Sequence, residues 1–429
     1  MRASFAVTVQ RAVIEYRGKV NAFQPNARFF LLHIIISGAA MGVFRLLFNF
    51  FVLSLGYDEA LLGNLVTASS FVALLAALPM GYTADWLGRK RALLVAVFLE
   101  ALAILLMVAF PSAGVFLAMS ALSGLGQSLA AVTVSPFLME NSSAEERTYL
   151  FSISSGLQMT MASVGNWIGG YLPGWLAAFL HSEATSPRAY GAALLIIGSV
   201  LLLSLLPLAA IRSYAAARSE RTFFAPFAYF RQQPKLLARL IAPMFVTSIG
   251  AGLIMPFMNV FYRQVYHQSD PVIGALFAWG SLWMGVGLLL APPLADRWGK
   301  MNLVIGSQAL SIPFLILMGF APQFWLSAFA YYIRLALMNM SSPVYQAFVM
   351  ERVEPSARAT VSSLVSMSWN FGWAFSPTIS GWLQVRYGFA PAFIGTILLY
   401  CLSIYLYWVF FGRREESPSS ATIHKIPAD

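Results

Sequence analysis

The sequence predicts an all-α integral membrane protein whose twelve transmembrane helices form two pseudo-symmetric six-helix bundles. Three observations lead to this prediction: the composition, the succession of apolar runs and an internal repeat. The chain has 429 residues, of which 59% are hydrophobic and 10% are charged, whereas soluble domains are about 45–50% apolar and about 25% charged. Because lipid offers no partners for exposed backbone groups, the segments that cross it are expected to be helices.

Apolar runs between gaps rich in charge, Gly or Pro predict the twelve spans. A bilayer core of ~30 Å requires about 20 apolar residues per helix, and the runs have about this length. The spans are predicted at residues 29–54, 61–82, 91–110, 114–138, 149–178, 190–211, 240–264, 272–294, 302–320, 323–349, 359–384 and 391–411.

The distribution of basic residues predicts the orientation of these spans. With the N-terminus inside, all but five of the 27 lysines and arginines lie on the cytoplasmic side. Arg188, Arg263 and Arg386 lie outside, and Arg45 and Arg334 lie within spans. This positive-inside bias places both termini in the cytoplasm. We therefore expect a multi-pass protein of the plasma membrane, such as a bacterial inner membrane.

The longest internal polar stretch divides the spans into six and six. This predicts a cytoplasmic N-terminal segment at 1–28, an N-terminal bundle at 29–211, a cytoplasmic linker at 212–239, a C-terminal bundle at 240–411 and a cytoplasmic tail at 412–429. A repeat supports the division, because DWLGR at 85–89 recurs 211 positions later as DRWGK at 296–300. The same spacing relates Gly63 to Gly274, Glu140 to Glu351, Arg147 to Arg358 and Gly170 to Gly381. An even number of spans per half makes the two repeats parallel.

These features resemble the major facilitator superfamily of secondary transporters over nearly the whole chain. The family pattern between spans two and three, G-x-x-x-D-x-x-G-R-[KR]-[RK], is matched by Gly81, Asp85, Gly88, Arg89, Lys90 and Arg91. The second copy keeps Asp296, Gly299 and Lys300, but Pro292 replaces the first glycine and Met301 and Asn302 replace the last two bases. The resemblance implies two halves that rock about a central site, with these loops and Glu140, Arg147, Glu351 and Arg358 as conformational gates.

The fifth span carries a second, partial resemblance. Antiporters of the superfamily often show G-x8-G-x3-G-P-x2-G-G there, and the glycine spacings of this chain match at Gly156, Gly165, Gly169 and Gly174. Gly170 stands where the family has proline, and Pro173 stands where it has glycine. The segment therefore indicates either an antiporter or a helix that packs closely through small residues.

The resemblance implies that spans one, four, seven and ten line a central cavity. Helical spacing gives each of these spans a polar or Met-bearing face. The candidate cavity residues are Arg45, Asn49, Gln127, Asn259, Arg334 and Met338, with Trp369 and Trp373 of span eleven as stacking groups. Arginine pairs suit an anionic ligand, although each guanidinium could instead be neutralised by an internal carboxylate or by helix carbonyls. Packing is the alternative role for the methionine, and packing or an interfacial position is the alternative for the tryptophans.

Glu100, near the middle of span three, is the candidate proton-coupling residue, because buried carboxylates can carry protons. The alternative is a fixed partner of Arg45. Four scattered histidines and one cysteine provide no metal spacing, so neither a metal nor a cofactor is expected.

Secondary active transport by alternating access is the function that these features favour. No GxxxxGK[ST] motif and no nucleophile–base pair occurs, so neither direct ATP use nor an enzyme is expected. Two transport hypotheses remain: proton-coupled efflux of small amphipathic or drug-like molecules, or movement of an organic anion, sugar or other metabolite through Arg45 and Arg334. A non-transporting receptor or scaffold on the same fold is the third hypothesis.

The expected partners are a small-molecule substrate, the lipid bilayer and protons. No nucleic acid is expected, and the protein is expected to be a monomer.

Overall fold

The computed structural model describes residues 23–143, 147–212, 233–353 and 358–412. Within these residues the chain is helical and contains no strand. Residues 1–22, 213–232 and 413–429, which make up most of the predicted N-terminal segment, linker and tail, lie outside the described residues, so the boundaries of these segments remain predictions.

All twelve predicted spans are found as helices, which we number α1 to α12 in chain order. Their bounds are α1 Pro25–Ser54, α2 Glu59–Leu87, α3 Arg89–Ala109, α4 Ala113–Glu140, α5 Arg147–Leu180, α6 Pro187–Leu203 continued by Leu205–Ala210, α7 Pro234–Ile254 continued through Met255–Phe257 to Met258–Tyr266, α8 Asp270–Trp298, α9 Lys300–Phe320, α10 Phe324–Glu351, α11 Arg358–Trp373 continued by Ser376–Tyr387, and α12 Ala390–Tyr407 continued by Trp408–Gly412.

The helices alternate in direction, which gives the bundle two ends. The hairpin end carries the tight α2–α3 and α8–α9 connections, and the far end carries the α1–α2 and α7–α8 connections. Gly88 and Gly299, with φ of +79° and +84°, make the two tight turns at the hairpin end, and glycine reaches positive φ without steric cost. At the far end, Asp58 caps α2 by accepting from the Leu61 amide at 3.0 Å.

Several spans are interrupted, which the sequence patterns did not predict. In α7 a short 3-10 turn contains Pro256, and in α11 the helix breaks at residues 374–375 just before Pro377. Proline has no amide hydrogen and cannot continue the helical hydrogen-bond ladder. The breaks therefore free backbone carbonyls in the interior, and α7 uses one of them in the contacts described below.

By length and composition, nine of the described helices could cross a membrane. The three that fall short are α5, α10 and α11. The two segments of α11 have 16 and 12 residues, which is shorter than a span requires. As the next paragraphs show, α5 and α11 are also helices through which the two halves meet.

Glycines set the close packing inside the N-terminal half, α1 to α6. A Cβ on Gly42 would collide with the backbone of Ala162, and a Cβ on Gly165 would collide with the backbone of Ala39. Helices α1 and α5 therefore approach each other through bare backbone. The same device recurs in the C-terminal half, α7 to α12, where Gly287 of α8 lies against Ala336 of α10.

The two halves meet along α5–α8 and α2–α11. Gly170 leaves room for the backbone of Asp270, whose carbonyl oxygen would lie 2.7 Å from an added Cβ. Gly63 leaves room for Pro377, and Gly381 leaves room for Glu59. Every one of these contacts lies toward the far end, so the junction between the halves is off-centre.

The glycines of α5 predict a matched pair of stability effects. We expect Gly165→Ala to lower the stability of the folded protein by about 1–3 kcal/mol, because the new methyl group must displace the α1 backbone. Gly156→Ala, whose Cβ would meet nothing within 4 Å, should instead be stabilising by about 0.5–1 kcal/mol. Thermal unfolding of the two purified variants measures the difference, and equal midpoints would contradict the packing role of Gly165.

Candidate functional site

Three charged side chains lie well away from the ends of the described helices: Arg45 on α1, Glu100 on α3 and Arg334 on α10. Their exposure differs. Arg45 is exposed and Glu100 is partly buried, whereas Arg334 is only 1% exposed. Charges at this depth are costly and mark functional sites, so the site is built from these residues upward.

Arg45 and Glu100 act on each other inside the N-terminal half. The Arg45 guanidinium exerts a favourable electrostatic effect on the Glu100 carboxylate. The two described side chains do not form an ion pair. Gly126 of α4 gives Glu100 its space, since a Cβ there would lie 3.1 Å from the glutamate Cγ. The acid therefore projects between α3 and α4 toward the interior, where an exposed arginine faces it.

Arg334 lies in the interior of the C-terminal half and not on an exposed cavity face, where its helical position predicted it. Its Nη2 donates to the hydroxyl of Tyr400 at 3.3 Å, and its Cζ lies 5.5 Å from the centroid of that ring. Its Nε and Nη1 have no hydrogen-bond partner. No carboxylate of the described residues pairs with it. The spacing of polar residues along α10 could not predict the burial of Arg334. A face that points into the packed interior of a half has the same spacing as a face that lines a cavity.

The remaining predicted cavity residues fall into two groups. Gln127 is exposed and donates to Ser123 at 3.1 Å, as expected of a cavity face. Met338 accepts a contact from the Ser311 hydroxyl at 3.2 Å, and Trp369 and Trp373 are partly buried. Ligand contact by these residues stays a prediction.

Asn49 and Asn259, the other two predicted cavity residues, join the two halves directly. Asn49 Nδ2 donates to Asn259 Oδ1 at 2.9 Å and to the Pro256 carbonyl at 2.8 Å. Asn259 Nδ2 donates to the Leu46 carbonyl at 2.8 Å. The asparagines are at least 92% buried, so in this conformation they form a seal between α1 and α7.

A second cluster at the far end also joins the halves. Asp270 of α8 forms an ion pair with Arg263 of α7 and accepts a hydrogen bond of 2.7 Å from the Tyr190 hydroxyl of α6. The Arg263 Nη2 donates to the same hydroxyl at 2.7 Å, and its Cζ lies 3.5 Å from the ring centroid of Phe50. We call Tyr190, Arg263 and Asp270 the far-end cluster. A cavity of about 520 Å³ opens beside it, away from Arg45 and Glu100.

The sequence patterns did not predict the far-end cluster. The charge distribution places Arg263 on the outside, and nothing local connects α6 to α7 and α8. The one available signal was an acid and a base that bracket the short α7–α8 connection.

At the hairpin end the charged groups pair within one half. Asp85 pairs with Arg89, with Nη1 and Oδ1 2.6 Å apart, and Arg89 also pairs with Glu140 at 3.1 Å. In the other half, Lys300 pairs with Glu351. Lys90 Nζ donates to the Ala209 carbonyl at 2.7 Å, near the C-terminal end of α6.

The other predicted gate residues have no comparable contacts. Gly81 is buried, Arg91 and Asp296 are exposed, and Arg147 has a buried Nε without a partner. The side chain of Arg358 lies outside the described residues.

The polar contacts between the halves share one feature. Among the described residues, each hydrogen bond or ion pair between the halves lies between the middle of the bundle and the far end; besides those above, the pairs are Gln264–Glu59, Ser163–Ala278 and Thr378–Thr67. The halves are therefore joined at the far end. The exposed polar residues Gln127, Gln346 and Asn370 are consistent with a cavity open toward the hairpin end.

Comparison with known proteins agrees with this architecture. The family model described as Major Facilitator Superfamily matches residues 30–251 and 240–427. The Multidrug resistance protein MdtG of Dickeya zeae (strain Ech586) is 21% identical over 43% of this chain and 46% of its own length. The chain thus spans about half the length of the curated relatives it matches.

Solved structures extend the likeness to nearly the whole chain. A bacterial homologue of the human lysosomal transporter Spinster, in an inward-facing and unoccupied conformation, superposes with a TM-score of 0.75 at 15% identity, over 92% of this chain and 100% of that one. The nucleoside transporter NupG has a TM-score of 0.70 at 14% identity over the same shares. At these identities the likeness shows the fold alone.

The far-end cluster predicts how the halves respond to loss of one charge. Removing one partner of a buried ion pair costs about 3–5 kcal/mol, and that cost disappears when the halves separate. We therefore expect Asp270→Asn to increase the population with separated far ends by on the order of tenfold or more.

Distances between spin labels at the far ends of α1 and α7, measured by double electron–electron resonance, report this population. Glu183→Gln removes an exposed acid at the same end and serves as the matched control. Unchanged distance distributions in Asp270→Asn would show that the far-end cluster does not hold the halves together.

Proposed function

The chain belongs to the major facilitator superfamily, and on that premise we propose that it exports small amphipathic molecules by alternating access, in exchange for protons. It is a multi-pass membrane transporter and not an enzyme. The direction of transport, the coupling ion and the class of substrate are the parts that we propose.

The observation that carries proton coupling is the position of Glu100. Its carboxylate lies inside the N-terminal half and within the electrostatic reach of the exposed Arg45. Binding of a proton to Glu100 removes one negative charge beside Arg45, and release of the proton restores it. The protonation state of Glu100 therefore changes the electrostatic potential at Arg45 and at any bound ligand. The two residues can thus link the proton to whatever occupies the cavity.

Export is supported by the conformation together with the orientation of the chain. By the positive-inside bias the hairpin end is cytoplasmic, so we propose that molecules enter from the cytoplasm between the halves, on the side where Gln127, Gln346 and Asn370 are exposed. The far-end cluster and the asparagine seal then form the outer gate, which must open for release. The MdtG relatives, named as multidrug resistance proteins, support an exporter of drug-like molecules.

The hairpin at 85–91 is proposed as the inner gate. In this conformation Arg89 pairs with Asp85 and Glu140 of its own half. We propose that these charges engage the C-terminal half when the far end opens. The pairs within one half then hold the charges in place until the inner gate closes.

Substitution of Glu100 tests the coupling. We expect Glu100→Gln to bind substrate but to lose at least about 90% of substrate-driven proton movement, because a neutral amide cannot exchange the proton. Proteoliposomes that contain a pH-sensitive dye report this movement. The exposed acid Glu183, changed to Gln, is the control. Proton movement at the wild-type rate in Glu100→Gln would exclude Glu100 as the coupling site.

Substitution of Asp85 tests the inner gate. We expect Asp85→Asn to slow transport by on the order of tenfold while leaving substrate affinity within about twofold, because the residue acts on conformation and not on the ligand. Asp58→Asn, which keeps a competent helix cap, is the matched control. Equilibrium binding and transport rates are measured on the same preparations, and a large loss of affinity would contradict a gating role.

A further inference from the structure

The charges inside the membrane-spanning part of the chain do not cancel. Toward the helix ends, charged groups form pairs, such as Arg263 with Asp270 and Lys300 with Glu351. Away from those ends the described helices hold two guanidiniums, Arg45 and Arg334, and one carboxylate, Glu100. The interior therefore has one uncompensated positive charge when Glu100 is ionised, and two when it is protonated.

The uncompensated charge belongs to the C-terminal half. Glu100 lies beside Arg45 in the N-terminal half, whereas Arg334 contacts only neutral groups of the described residues. The Tyr400 hydroxyl and ring stabilise the guanidinium through a dipole and a quadrupole, but they supply no net charge. Arginine cannot be deprotonated in a protein, so its charge persists.

The internal repeat shows which positions cause the excess of positive charge. At the spacing of 211 residues, Glu100 corresponds to Ser311 and Arg334 corresponds to Ser123. The C-terminal half thus gains an arginine where its counterpart has a hydroxyl, and it lacks the acid that its counterpart has. The duplicated framework does not compensate the charge.

A buried charge acts beyond its contacts, because a low-dielectric interior screens it weakly. For a ligand charge about 10 Å away and an effective dielectric constant of about 20, the interaction changes affinity by about tenfold or somewhat more. Arg334 is sealed and need not touch a ligand to have this effect. Arg45 is exposed and can form paired hydrogen bonds with a carboxylate or sulfonate.

We propose that this charge arrangement sets the class of substrate: amphipathic molecules with a negative charge are bound in preference to cations of the same size and shape. The inference rests on the proposed function and names the substrates of that same cavity. Arg45 contacts the anionic group, and Arg334 contributes through its field.

Fluorescein and rhodamine 123 test the inference, because they share a xanthene scaffold and differ in the sign of their charge. Their affinities for the purified full-length protein are measured by fluorescence anisotropy at constant pH and ionic strength. We expect fluorescein to bind on the order of a hundredfold more tightly, and we expect Arg334→Gln to reduce the ratio of the two affinities by on the order of a hundredfold, because the field strengthens binding of the anion and weakens binding of the cation.

Arg188→Gln is the matched control, because it removes the same charge from an exposed arginine near the far end and should leave the ratio unchanged. Equal affinities, tighter binding of rhodamine 123, or no measurable binding of either dye to the wild-type protein would overturn the inference. An equal loss of preference in Arg188→Gln would overturn the role of Arg334. The wild-type comparison needs no variant, so it stands even if Arg334→Gln fails to fold.

Transport of both dyes into acid-loaded proteoliposomes separates this inference from the proposed function. An anion preference in binding without proton-driven transport would contradict the proposed function and leave the charge preference intact. Proton-driven transport that favours rhodamine 123 would support the proposed function and overturn the charge preference.

Discussion

The off-centre junction between the two six-helix halves is the constraint on which the rest of the structure depends. Bare backbone at Gly63, Gly170 and Gly381 lets α2 meet α11 and α5 meet α8 toward the far end. Asn49 and Asn259 close the remaining gap between α1 and α7. Because the halves are joined there, a space between them can widen only toward the hairpin end. This geometry leaves Arg45 and Gln127 exposed and keeps the ion pairs of the hairpins within their own halves.

The two halves have nearly the same backbone arrangement, whereas their interior charged residues lie at different positions. Gly88 and Gly299 make equivalent turns, and the seal is formed by asparagines at nearly equivalent positions of the first and seventh helices. Glu100 and Arg334, by contrast, have serines as their counterparts. In the proposed mechanism the symmetric framework provides the two repeats that rock against each other. Asymmetry serves coupling and selectivity, which need a defined charge at one place.

Local sequence patterns were sufficient for the helices and the hairpin motif, and insufficient for the contacts between distant helices. Apolar runs predicted all twelve spans, because each run reports the requirement of one segment for lipid or protein around it. The hairpin motif at 81–91 was recognised because its residues lie close together in the chain. The burial of Arg334, the Asn49–Asn259 seal and the far-end cluster were not. Each depends on how remote helices are rotated and tilted against one another, which no periodicity within one helix records.

The distribution of ionic contacts also explains how two conformations of such a molecule remain close in free energy. Opening the far end breaks the hydrogen bonds that join Tyr190 to Asp270 and Arg263 and those of the seal, which by itself costs on the order of a few kcal/mol. A transporter cannot cycle against an uncompensated cost of that size, because the minor state would be too rare. The compensation must come from the hairpin end, where Arg89, Glu140, Lys300 and Glu351 are partly exposed or exposed and can exchange partners within a half for partners across it. On the proposed mechanism, the loops at 85–91 and 296–300 offset the free-energy cost of opening the far-end cluster, so that binding of a proton or a ligand has to supply only a small free-energy difference.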